Sequence, residues 1–432
     1  MALKTFRHGV HPAASKFTKD VPLEEFPVPD KVFISLSQHI GAPAKPVVNV
    51  GDYVLEGQLV GEAGGFVSAP VFSSVSGTVK GIVKLPTAIG QMVDHIEIEN
   101  DFKYEKFRLP ELDDPTKEEV LQRVKDAGIV GMGGATFPTH VKLAPKDPVD
   151  TLIINGAECE PYITCDYRLF IEHAKYVVEG TKLLMRALGV EKAYIGIENN
   201  KPEAIKVMRE AANGGVVIVP LKVKYPQGAE KQIVYAITKR VVPAGGLPAQ
   251  VGCVVSNTHT AFAVAKAVFD GETLYRRAMT VSGDGIEKAG NYWVRGGIPF
   301  SFIYDTLRGN VDESVTAKVI NGGPMMGFAQ ANLLPVTAKG TSSLLFLSHK
   351  EFSEIEPTQC INCGRCINHC PMNLVPRDYE RAILRKDFDA AAKLGVMNCI
   401  ECGSCAFICP AKRPLVQAIR LAKKEIRAKG KK

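Results

Sequence analysis

The sequence predicts a multidomain protein of mixed α+β and α/β class. The chain has 432 residues, of which 46% are hydrophobic, and this is enough for several buried cores. Short alternating segments punctuated by glycine occupy the first part of the chain, and strands alternating with helices follow. Eight of the eleven cysteines lie close to the end. We therefore expect an all-β domain, an α/β domain and a cysteine-rich domain in this order.

Residues 1–110 are predicted to contain the all-β domain. Its core, residues 46–83, resembles the barrel-sandwich hybrid of biotinyl and lipoyl carriers, in which a G-D-x-V-x-x-G-Q phrase and a later S-G-x-V phrase lie on matching hairpins. Residues 51–58 and 76–79 fit these phrases. Carriers present a modifiable lysine at a hairpin tip, whereas residues 61–76 contain no lysine. We therefore expect a docking or structural module.

The α/β domain is predicted from alternating elements. Helices are expected over residues 116–127 and 202–212, and buried strands over residues 151–155, 192–197 and 216–219. A further apolar strand ends at the sequence Ser-Asn-Thr-His of residues 256–259.

A glycine-rich loop lies between the first of these helices and the first strand. Gly131, Gly133 and Gly134 would let backbone N–H groups approach a phosphate without interference from a Cβ atom. Lys142 can supply the opposite charge. A Rossmann fingerprint requires a third glycine at the sixth position and a preceding strand, but this chain has Thr136 there and a helix before it. A phosphate cradle and a purely structural turn remain alternatives for the loop alone.

Polar residues follow the predicted strands. Residues 155–161 read N-G-A-E-C-E-P, and residues 225–231 read Y-P-Q-G-A-E-K. Ligand sites of open α/β sheets lie at the carboxyl ends of the strands. Burying a carboxylate at such a place costs free energy unless it forms hydrogen bonds, for example with hydroxyl groups. Glu158 and Glu160 therefore either contact ribityl or ribose hydroxyls or are solvated acids of a turn.

Two copies of C-x2-C-x2-C-x3-C-P close the chain. In bacterial ferredoxins the first three cysteines of such a run bind one 4Fe-4S cluster and the fourth binds the other. We assign one cluster to Cys360, Cys363, Cys366 and Cys409, and the other to Cys399, Cys402, Cys405 and Cys370. Structural zinc also uses C-x2-C pairs, but it needs neither the third cysteine nor the proline. The runs predict single-electron transfer in an α-helical ferredoxin domain at residues 351–432.

The composition and charge of the chain indicate which binding partners and which cellular compartment to expect. The net charge is +7, and residues 412–432 carry nine Lys or Arg against the single acid Glu425. Residues 415–426 have the apolar spacing of a helix, and the run as a whole is typical of a solvated basic helix end, with attraction to anionic lipid or to an acidic partner as the alternative. Aromatic residues do not interleave with it, so we expect no nucleic acid partner.

No run of 18 apolar residues and no apolar leader occurs, so we expect neither a membrane span nor secretion. Cluster thiolates require a reducing compartment.

The order of these motifs resembles two related families. The series G-x-G-G-A-x-F-P-T-x-x-K, N-x-x-E-x-E-P, a G-x-E turn and a strand ending in Asn-Thr is similar to the flavin- and NADH-binding subunit of complex I. The phrases at residues 8–12, 225–232, 242–248 and 399–416 are closer to the C subunit of the Rnf complex, an ion-pumping NADH:ferredoxin oxidoreductase. Two cysteine runs rather than a single cluster also favour Rnf.

The resemblance implies roles for particular residues. It places the FMN phosphate at Gly131, Gly133, Gly134 and Lys142, and further flavin contacts at Asn155, Glu160, Gly228, Glu230, Asn257 and Thr258. Phe137 matches an aromatic residue that faces the nicotinamide, and with Glu160 it forms the implied catalytic pocket. Complex I proteins have an Arg and an Asp where this chain has Met132 and Ala157.

The resemblance also implies the domain types. Residues 111–270 would form a Rossmann-like FMN- and NADH-binding domain. Residues 271–350 would form a small β-grasp (SLBB-like) domain, in which Val294, Ile298, Phe300 and Phe302 alternate.

The implied function is that of the NADH-oxidising, electron-input subunit of a membrane-bound, ion-translocating NADH:ferredoxin oxidoreductase. NADH gives up two electrons as hydride and a 4Fe-4S cluster takes one, so FMN is expected between them. Implied partners are the membrane and iron-sulfur subunits of the same complex, with ferredoxin reached indirectly. The implied location is the cytoplasmic face of the cell membrane, with peripheral attachment. A related flavin and iron-sulfur cobalamin reductase, and an electron-wiring subunit that binds no nucleotide, are the alternatives.

Overall fold

The structure, a computed structural model, describes residues 3–352 and 355–429. Residues 1–2, 353–354 and 430–432, which complete the predicted first and last domains and the basic run, lie outside the described residues.

Up to Asn100 the chain forms short strands. These are β1 (Leu23–Glu25), β2 (Lys31–Ser35), β3 (Lys45–Pro46), β4 (Tyr53–Val54), β5 (Leu59–Glu62), β6 (Val71–Phe72), β7 (Gly77–Pro86) and β8 (Met92–Asn100). One sheet has the order β2-β8-β7-β4 and another the order β3-β5-β6, and apolar side chains of both enter one core. Tyr53 pairs with Thr78 and Val54 with Gly77, so the two carrier-like phrases lie on paired strands.

The next region alternates helices and strands. Its elements are α1 (Lys117–Asp126), α2 (Thr139–Lys142), β9 (Thr151–Gly156), α3 (Cys165–Glu172), α4 (Ala174–Leu188), β10 (Lys192–Glu198), α5 (Pro202–Ala212), β11 (Val217–Leu221), α6 (Glu230–Thr238), a 3-10 turn (Pro248–Val251), β12 (Cys253–Asn257) and α7 (Thr258–Phe269). The strands form one parallel sheet in the order β11-β10-β9-β12. The helices and strands predicted for this region are confirmed to within a few residues.

Local sequence explains where α1 begins. The Thr116 backbone N–H donates to Glu119 Oε2 at 2.7 Å, and the Glu119 N–H donates back to Thr116 Oγ1 at 3.3 Å. This capping box satisfies two N–H groups that the helix cannot satisfy itself.

The third region is a mixed sheet with one helix. It contains β13 (Arg276–Ser282), β14 (Gly290–Arg295), α8 (Phe300–Arg308), a 3-10 turn (Glu313–Val315), β15 (Thr316–Asn321), β16 (Phe328–Ala329) and β17 (Ser343–Ser348). The sheet order is β1-β14-β13-β17-β15-β16, so a strand from the start of the chain forms one edge. Met279 and Val281 of β13 share the core of the all-β region.

One expectation for this region was wrong. Phe300 and Phe302 do not continue the extended alternation of Val294, because α8 begins at Phe300 directly after Pro299. Phe300 and Ile303 are buried at helical spacing, so the apolar period here is that of a helix.

The last region is helical, as predicted. It contains α9 (Arg365–Asn368), α10 (Pro376–Leu384), α11 (Phe388–Lys393), a 3-10 turn (Val396–Asn398), α12 (Ser404–Phe407) and α13 (Leu415–Lys429). Leu415, Ile419 and Ala422 are buried along one side of α13, which confirms the predicted amphipathic helix. None of the helices in the described part of the chain is both long enough and apolar enough to cross a membrane.

Residues 4–10, which we call the N-terminal strap, lie apart from the all-β region. Lys4 bridges to Leu221 at the edge of the parallel sheet, and Val10 bridges to Tyr225. His8 Nδ1 lies 2.8 Å from Asn368 O, and the Gly9 N–H donates to His369 O at 3.1 Å. The strap therefore joins the parallel sheet to the cysteine-rich region.

Candidate functional site

The parallel sheet has one place where its chain order reverses. From β9 the chain proceeds to β10 and β11 on one side and later returns to β12 on the other side. Open α/β sheets bind ligands in the crevice at such a reversal, at the carboxyl ends of the strands. Asn155 of β9 and Asn257 of β12 are paired in register there. The strand-end residues predicted from the sequence therefore meet at this crevice.

Hydrogen bonds join three of the predicted residues. Asn155 Nδ2 donates to Gly228 O at 2.7 Å, and Thr258 Oγ1 donates to Asn155 O at 3.2 Å. A Cβ atom at Gly228 would lie only 3.3 Å from Asn155 Oδ1, so glycine permits this close approach.

The glycine loop is anchored at the same crevice. The Gly131 N–H donates to Phe137 O at 2.8 Å, and the Met132 N–H donates to Thr260 Oγ1 of α7 at 3.0 Å. A Cβ atom at Gly133 would lie 3.0 Å from the Cβ of Asn257. Gly133 and Gly134 are exposed, and among the described residues their N–H groups have no hydrogen-bond acceptor. The loop therefore presents free amides beside Asn257.

Lys142 and Glu230 border this crevice as an ion pair. Lys142 Nζ lies 2.6 Å from Glu230 Oε1, and their side chains are 34% and 38% exposed. Two residues that the resemblance assigns to the flavin are thus partners of each other in this structure.

Several buried polar atoms in the same segments have no hydrogen-bond partner within the described chain, although one of them, Glu158 Oε2, lies within 4 Å of two lysines. They are the Thr139 hydroxyl, Glu158 Oε2 and both polar atoms of the Gln227 side chain. Buried polar groups are normally hydrogen-bonded, so such atoms indicate a missing ligand or water. Together with the free glycine amides and Lys142, they fit a polar, phosphorylated ligand such as FMN.

Asn257 connects the crevice to an acid that was not identified from the sequence. Its Oδ1 accepts the His259 N–H at 2.9 Å, which caps α7, and its Nδ2 donates to Asp166 Oδ2 at 2.9 Å. Burial raises the pKa of Asp166 to about 7, and the neighbouring Glu158 adds to this rise. A lone acid in the first turn of a helix usually indicates only a favourable helix dipole, so the sequence carried no signal for this role.

Glu158 is a structural acid in this conformation. Its Oε1 accepts the N–H groups of Asp166 and Tyr167 at 2.8 and 3.2 Å, and its backbone has a left-handed φ of 47°. Its Oε2 lies 3.8 Å from Lys16 Nζ and 3.9 Å from Lys201 Nζ. The solvated-turn alternative for Glu158 is therefore wrong, because its side chain is only 3% exposed.

Glu160 faces the cysteine-rich side of the domain. Its two carboxylate oxygens accept the N–H groups of Met325 and Met326 at 3.0 and 2.9 Å. Burial raises the pKa of Glu160 to about 7, although these N–H groups act to lower it. Phe137, by contrast, lies half-buried in the glycine loop. No hydrogen bond in the described part of the chain joins Glu160 to that loop, so the joint role of the two residues stays a prediction.

The two cysteine runs adopt the same local backbone. Asn362 and Glu401 both have a left-handed φ of 56°, and Gly364 and Gly403 both precede a short helix with φ of 72° and 82°. The sequence repeat is therefore also a structural repeat.

Cysteines of the two runs lie close to one another in space. Burial raises the pKa of the Cys405 thiol, and negative charge on Cys399, Cys402 and Cys370 raises it further. The pKa of Cys366 is likewise raised by burial and then by Cys409 and Cys360. Each fourth cysteine thus lies near the other run.

No three His, Cys, Asp or Glu side chains of the described residues are spaced for a single metal ion. A 4Fe-4S cluster binds its four thiolates through four separate irons, so its ligands do not converge on one point.

The two sets of cysteines differ in burial and in what they contact. We call Cys370, Cys399, Cys402 and Cys405 the inner group, and Cys360, Cys363, Cys366 and Cys409 the outer group. Cys370, Cys402 and Cys405 are buried, whereas Cys360 and Cys363 are exposed. Tyr225 Oη donates to Cys402 O at 2.7 Å, and Cys402 packs with Tyr225, Val10 and Cys159. The inner group therefore lies against the parallel-sheet domain.

Three family descriptions match successive parts of the chain. "RnfC Barrel sandwich hybrid domain" matches residues 4–103, "Nuo51 FMN-binding domain" matches residues 124–266, and "4Fe-4S dicluster domain" matches residues 353–410. These matches confirm the predicted barrel-sandwich, FMN-binding and two-cluster domains.

Solved structures share the fold at low identity. A chain of an NAD+-reducing [NiFe]-hydrogenase in the H2-reduced state superposes with a TM-score of 0.52 and 19% identity, over 70% of this chain and 63% of that chain. A chain of an NAD+-reducing [NiFe]-hydrogenase in the air-oxidized state gives a TM-score of 0.50 and 18% identity, over 73% of this chain and 68% of that chain.

Curated relatives extend over the whole chain. The C subunit of the proton-translocating ferredoxin:NAD(+) oxidoreductase complex of Clostridium ljungdahlii is 47% identical, over 99% of this chain and 95% of that protein. The Na(+)-translocating counterpart of Acetobacterium woodii is 45% identical, over 99% and 98%. The C subunit of the ion-translocating oxidoreductase complex of Rhodobacter capsulatus is 42% identical, over 97% and 82%. The chain therefore belongs to the family of C subunits of the Rnf-type, ion-translocating ferredoxin:NAD(+) oxidoreductase complexes.

Proposed function

We propose that this chain is the NADH-oxidising, electron-input subunit of a membrane-bound, ion-translocating NADH:ferredoxin oxidoreductase. The observation that carries the proposal is the direct contact between the inner cysteine group and the domain with the strand-end crevice, through Tyr225 and Cys402. Bound FMN would take two electrons as hydride from NADH and release them singly, which 4Fe-4S clusters require.

The chain's own residues would bind the flavin at the crevice. The free N–H groups of Gly133 and Gly134 and the Lys142 ammonium are suited to its phosphate. Polar side chains and a close backbone turn at the strand ends are suited to the ribityl chain and the ring: Asn155, Gly228, Glu230, Asn257 and Thr258. We propose Phe137 and Glu160 as the residues that orient the nicotinamide.

Electrons would pass through the clusters in a fixed order. The inner group adjoins the flavin domain and is mostly buried, whereas Cys360 and Cys363 of the outer group are exposed. We infer that the inner group would hold the cluster nearer the flavin, which would accept electrons first. The outer group would hold the cluster from which a partner iron-sulfur subunit draws them, with ferredoxin as the later acceptor.

Charge and exposure near the outer group support such a partner. Ile361 is 67% exposed beside Cys360, and Arg381 Nη2 donates to Asn362 Oδ1 in the same run. Arg381 also lies 3.7 Å from Asp378, so the rim beside the exposed cysteines is partly apolar and of mixed charge, which suits docking of an electron-transfer protein. We place the chain on the cytoplasmic face of the membrane, attached through the membrane subunits.

The two central regions also suit the domain types that the resemblance implies. We infer a Rossmann-like domain at residues 111–270 and a β-grasp (SLBB-like) domain at residues 271–350, between the barrel-sandwich domain at 1–110 and the ferredoxin domain at 351–432. The four-stranded parallel sheet and the mixed sheet that packs α8 support these two assignments.

The test is reduction of the purified chain under anaerobic conditions. We expect about eight iron and about eight sulfide per chain, and FMN that is released on denaturation. NADH is expected to bleach the flavin and then give the electron paramagnetic resonance signal of reduced clusters. A protein whose clusters are reduced by dithionite but whose flavin is untouched by NADH would be an electron-wiring subunit instead.

A further inference from the structure

Two buried cations lie behind the glycine loop. Arg277 is in β13 and Lys339 lies shortly before β17, and they are 4% and 5% exposed. Arg277 Nη1 donates to Lys339 O at 2.8 Å, so the two are neighbours. The hydrogen bonds that they donate to oxygen all go to backbone carbonyls, and within residues 3–352 and 355–429 neither forms an ion pair with a carboxylate.

Both side chains donate hydrogen bonds to backbone carbonyls of residues 128–132, the segment that leads into and begins the glycine loop. Lys339 Nζ donates to Gly128 O at 2.7 Å and to Pro70 O at 2.6 Å. Arg277 Nη1 donates to Met132 O at 3.4 Å. Because a trans peptide points its C=O and N–H in opposite directions, a Met132 carbonyl turned towards Arg277 turns the Gly133 N–H away from it. That N–H is one of the free amides of the crevice.

The neighbouring arginine shows how such charges are usually balanced. Arg276 lies next to Arg277 on β13 and therefore points to the other face of the sheet. It pairs with Glu272 at 3.0 Å and with Glu25 at 2.7 Å. Arg277 forms no such pair in the described part of the chain, although Asp166 is near enough to raise its pKa.

Leaving these cations buried is unfavourable in the absence of an anion. Burial alone lowers the pKa of Lys339 to about 7, and burial also lowers the pKa of Arg277. Asp166, an acid close to Arg277, bonds to Asn257 instead. An uncompensated buried charge is strongly destabilising, and an anion bound nearby offsets that cost.

We propose that Arg277 and Lys339 are positioning residues for the phosphate of bound FMN. Their charges attract the phosphate through the glycine loop, and their hydrogen bonds hold the loop with its amides turned towards the crevice. Both residues lie beyond the part of the chain matched by the FMN-binding family, residues 124–266. The mixed-sheet region would thus contribute two residues to the phosphate site formed by the glycine loop of the parallel-sheet region. This inference rests on the proposed function, because it requires flavin at the glycine loop.

The test compares FMN with riboflavin, which lacks the phosphate. The full-length protein is stripped of flavin, and dissociation constants are measured by quenching of flavin fluorescence. For Arg277→Gln and for Lys339→Met we expect affinity for FMN to fall about tenfold or more relative to affinity for riboflavin, because a nearby opposite charge is lost. Arg277→Lys keeps the charge and is expected to keep most of the discrimination. Arg276→Gln is the matched control and is expected to leave the ratio within about twofold.

The outcomes separate this inference from the proposed function. Equal losses for FMN and riboflavin, or a loss in Arg277→Lys as large as in Arg277→Gln, would overturn the phosphate role. Unchanged ratios in both variants, with the wild type preferring FMN, would overturn this inference alone. A wild-type protein that binds neither flavin would overturn the proposed function itself. If Arg277→Gln does not fold, Lys339→Met decides the question.

Discussion

At the scale of residues, the acid loop after β9 is held by two buried lysines. Lys16 Nζ donates to the carbonyls of Glu158 and Glu160 at 2.9 and 2.8 Å, and Lys201 Nζ donates to Ala157 O at 3.0 Å. Lys201 also lies 3.5 Å from Glu198, so two lysines face two acids. This balance allows Glu158 to be buried without an isolated charge. The loop is therefore rigid enough to place Glu160 at the boundary with the cysteine-rich region.

The ionisation of Glu160 gives a pH prediction. Its folded pKa is raised from 4.5 to about 7, so the carboxylate fraction rises as pH rises through 7. A carboxylate accepts hydrogen bonds more strongly than the neutral acid does. We therefore expect NADH-driven reduction of ferricyanide to become faster from about pH 6 to about pH 8. Glu160→Gln is expected to lower the rate about tenfold or more and to remove this pH dependence.

The control for this experiment is Glu118→Gln on the exposed start of α1. Flavin and iron contents are measured in both variants and should equal those of the wild type. If Glu160→Gln oxidises NADH at the wild-type rate across this pH range, Glu160 is not part of the nicotinamide pocket.

At the scale of elements, the N-terminal strap connects the two redox regions. It bonds to the edge strand of the parallel sheet through Lys4, to Tyr225 in the loop after that strand through Val10, and to the cysteine-rich region through His8 and Gly9. Val10 also packs with Tyr225 and Cys402 of the inner group. We infer that the strap fixes the distance between the flavin crevice and the inner cluster.

A single substitution at Gly9 tests whether the strap positions the inner cluster. It has φ of 85°, and a Cβ atom there would lie 2.5 Å from Tyr225 O and 2.9 Å from the ring of Phe6. We expect Gly9→Val to slow electron transfer from flavin to cluster, while reduction of the flavin by NADH continues at the wild-type rate. Stopped-flow absorbance separates the two steps.

Gly51→Val is the matched control, because Gly51 has a similar φ of 92° with open space around it. It reproduces the backbone strain without the clash. Cluster reduction in Gly9→Val that is as fast as in Gly51→Val would show that the strap does not position the cluster.

At the scale of the whole molecule, the inner and outer cysteine groups predict a direction of electron flow. Cys370→Ser removes the thiol that we propose as a ligand of the inner cluster; Cys370 belongs to the first cysteine run but lies near Cys405 of the second. We expect it to disturb the cluster of Cys399, Cys402 and Cys405 and to stop NADH from reducing the outer cluster. Dithionite should still reduce the outer cluster, as followed by electron paramagnetic resonance.

The matching variant is Cys363→Ser in the outer group. There NADH should still reduce the inner cluster, because the inner cluster precedes the altered one. Retained reduction of the outer cluster by NADH in Cys370→Ser would contradict this order.

A structural feature can be predicted from the sequence when the residues that cause it are close together along the chain. Cluster ligands, glycine loops and apolar periods are set by spacing along the chain, so the cysteine runs, α5 and α13 were found directly. The buried lysines Lys16 and Lys201, the acid Asp166 and the cations Arg277 and Lys339 were not found, because only long-range packing brings them to the crevice. Phe300 was misread because a short apolar run fits a strand and a helix equally well.

The strap also constrains the order in which the protein assembles during synthesis. His8 bonds to a residue 360 positions later in the chain, so its final partner leaves the ribosome long after it does. The strap's contacts with Pro220 and Tyr225 can form first, once the parallel sheet is complete. The nascent flavin domain would then already present, along its edge, the surface against which the ferredoxin domain packs once it has been translated. Loading of iron and sulfide would be expected to precede docking of the ferredoxin domain, because docking packs Cys402 of the inner group against Val10 and Tyr225.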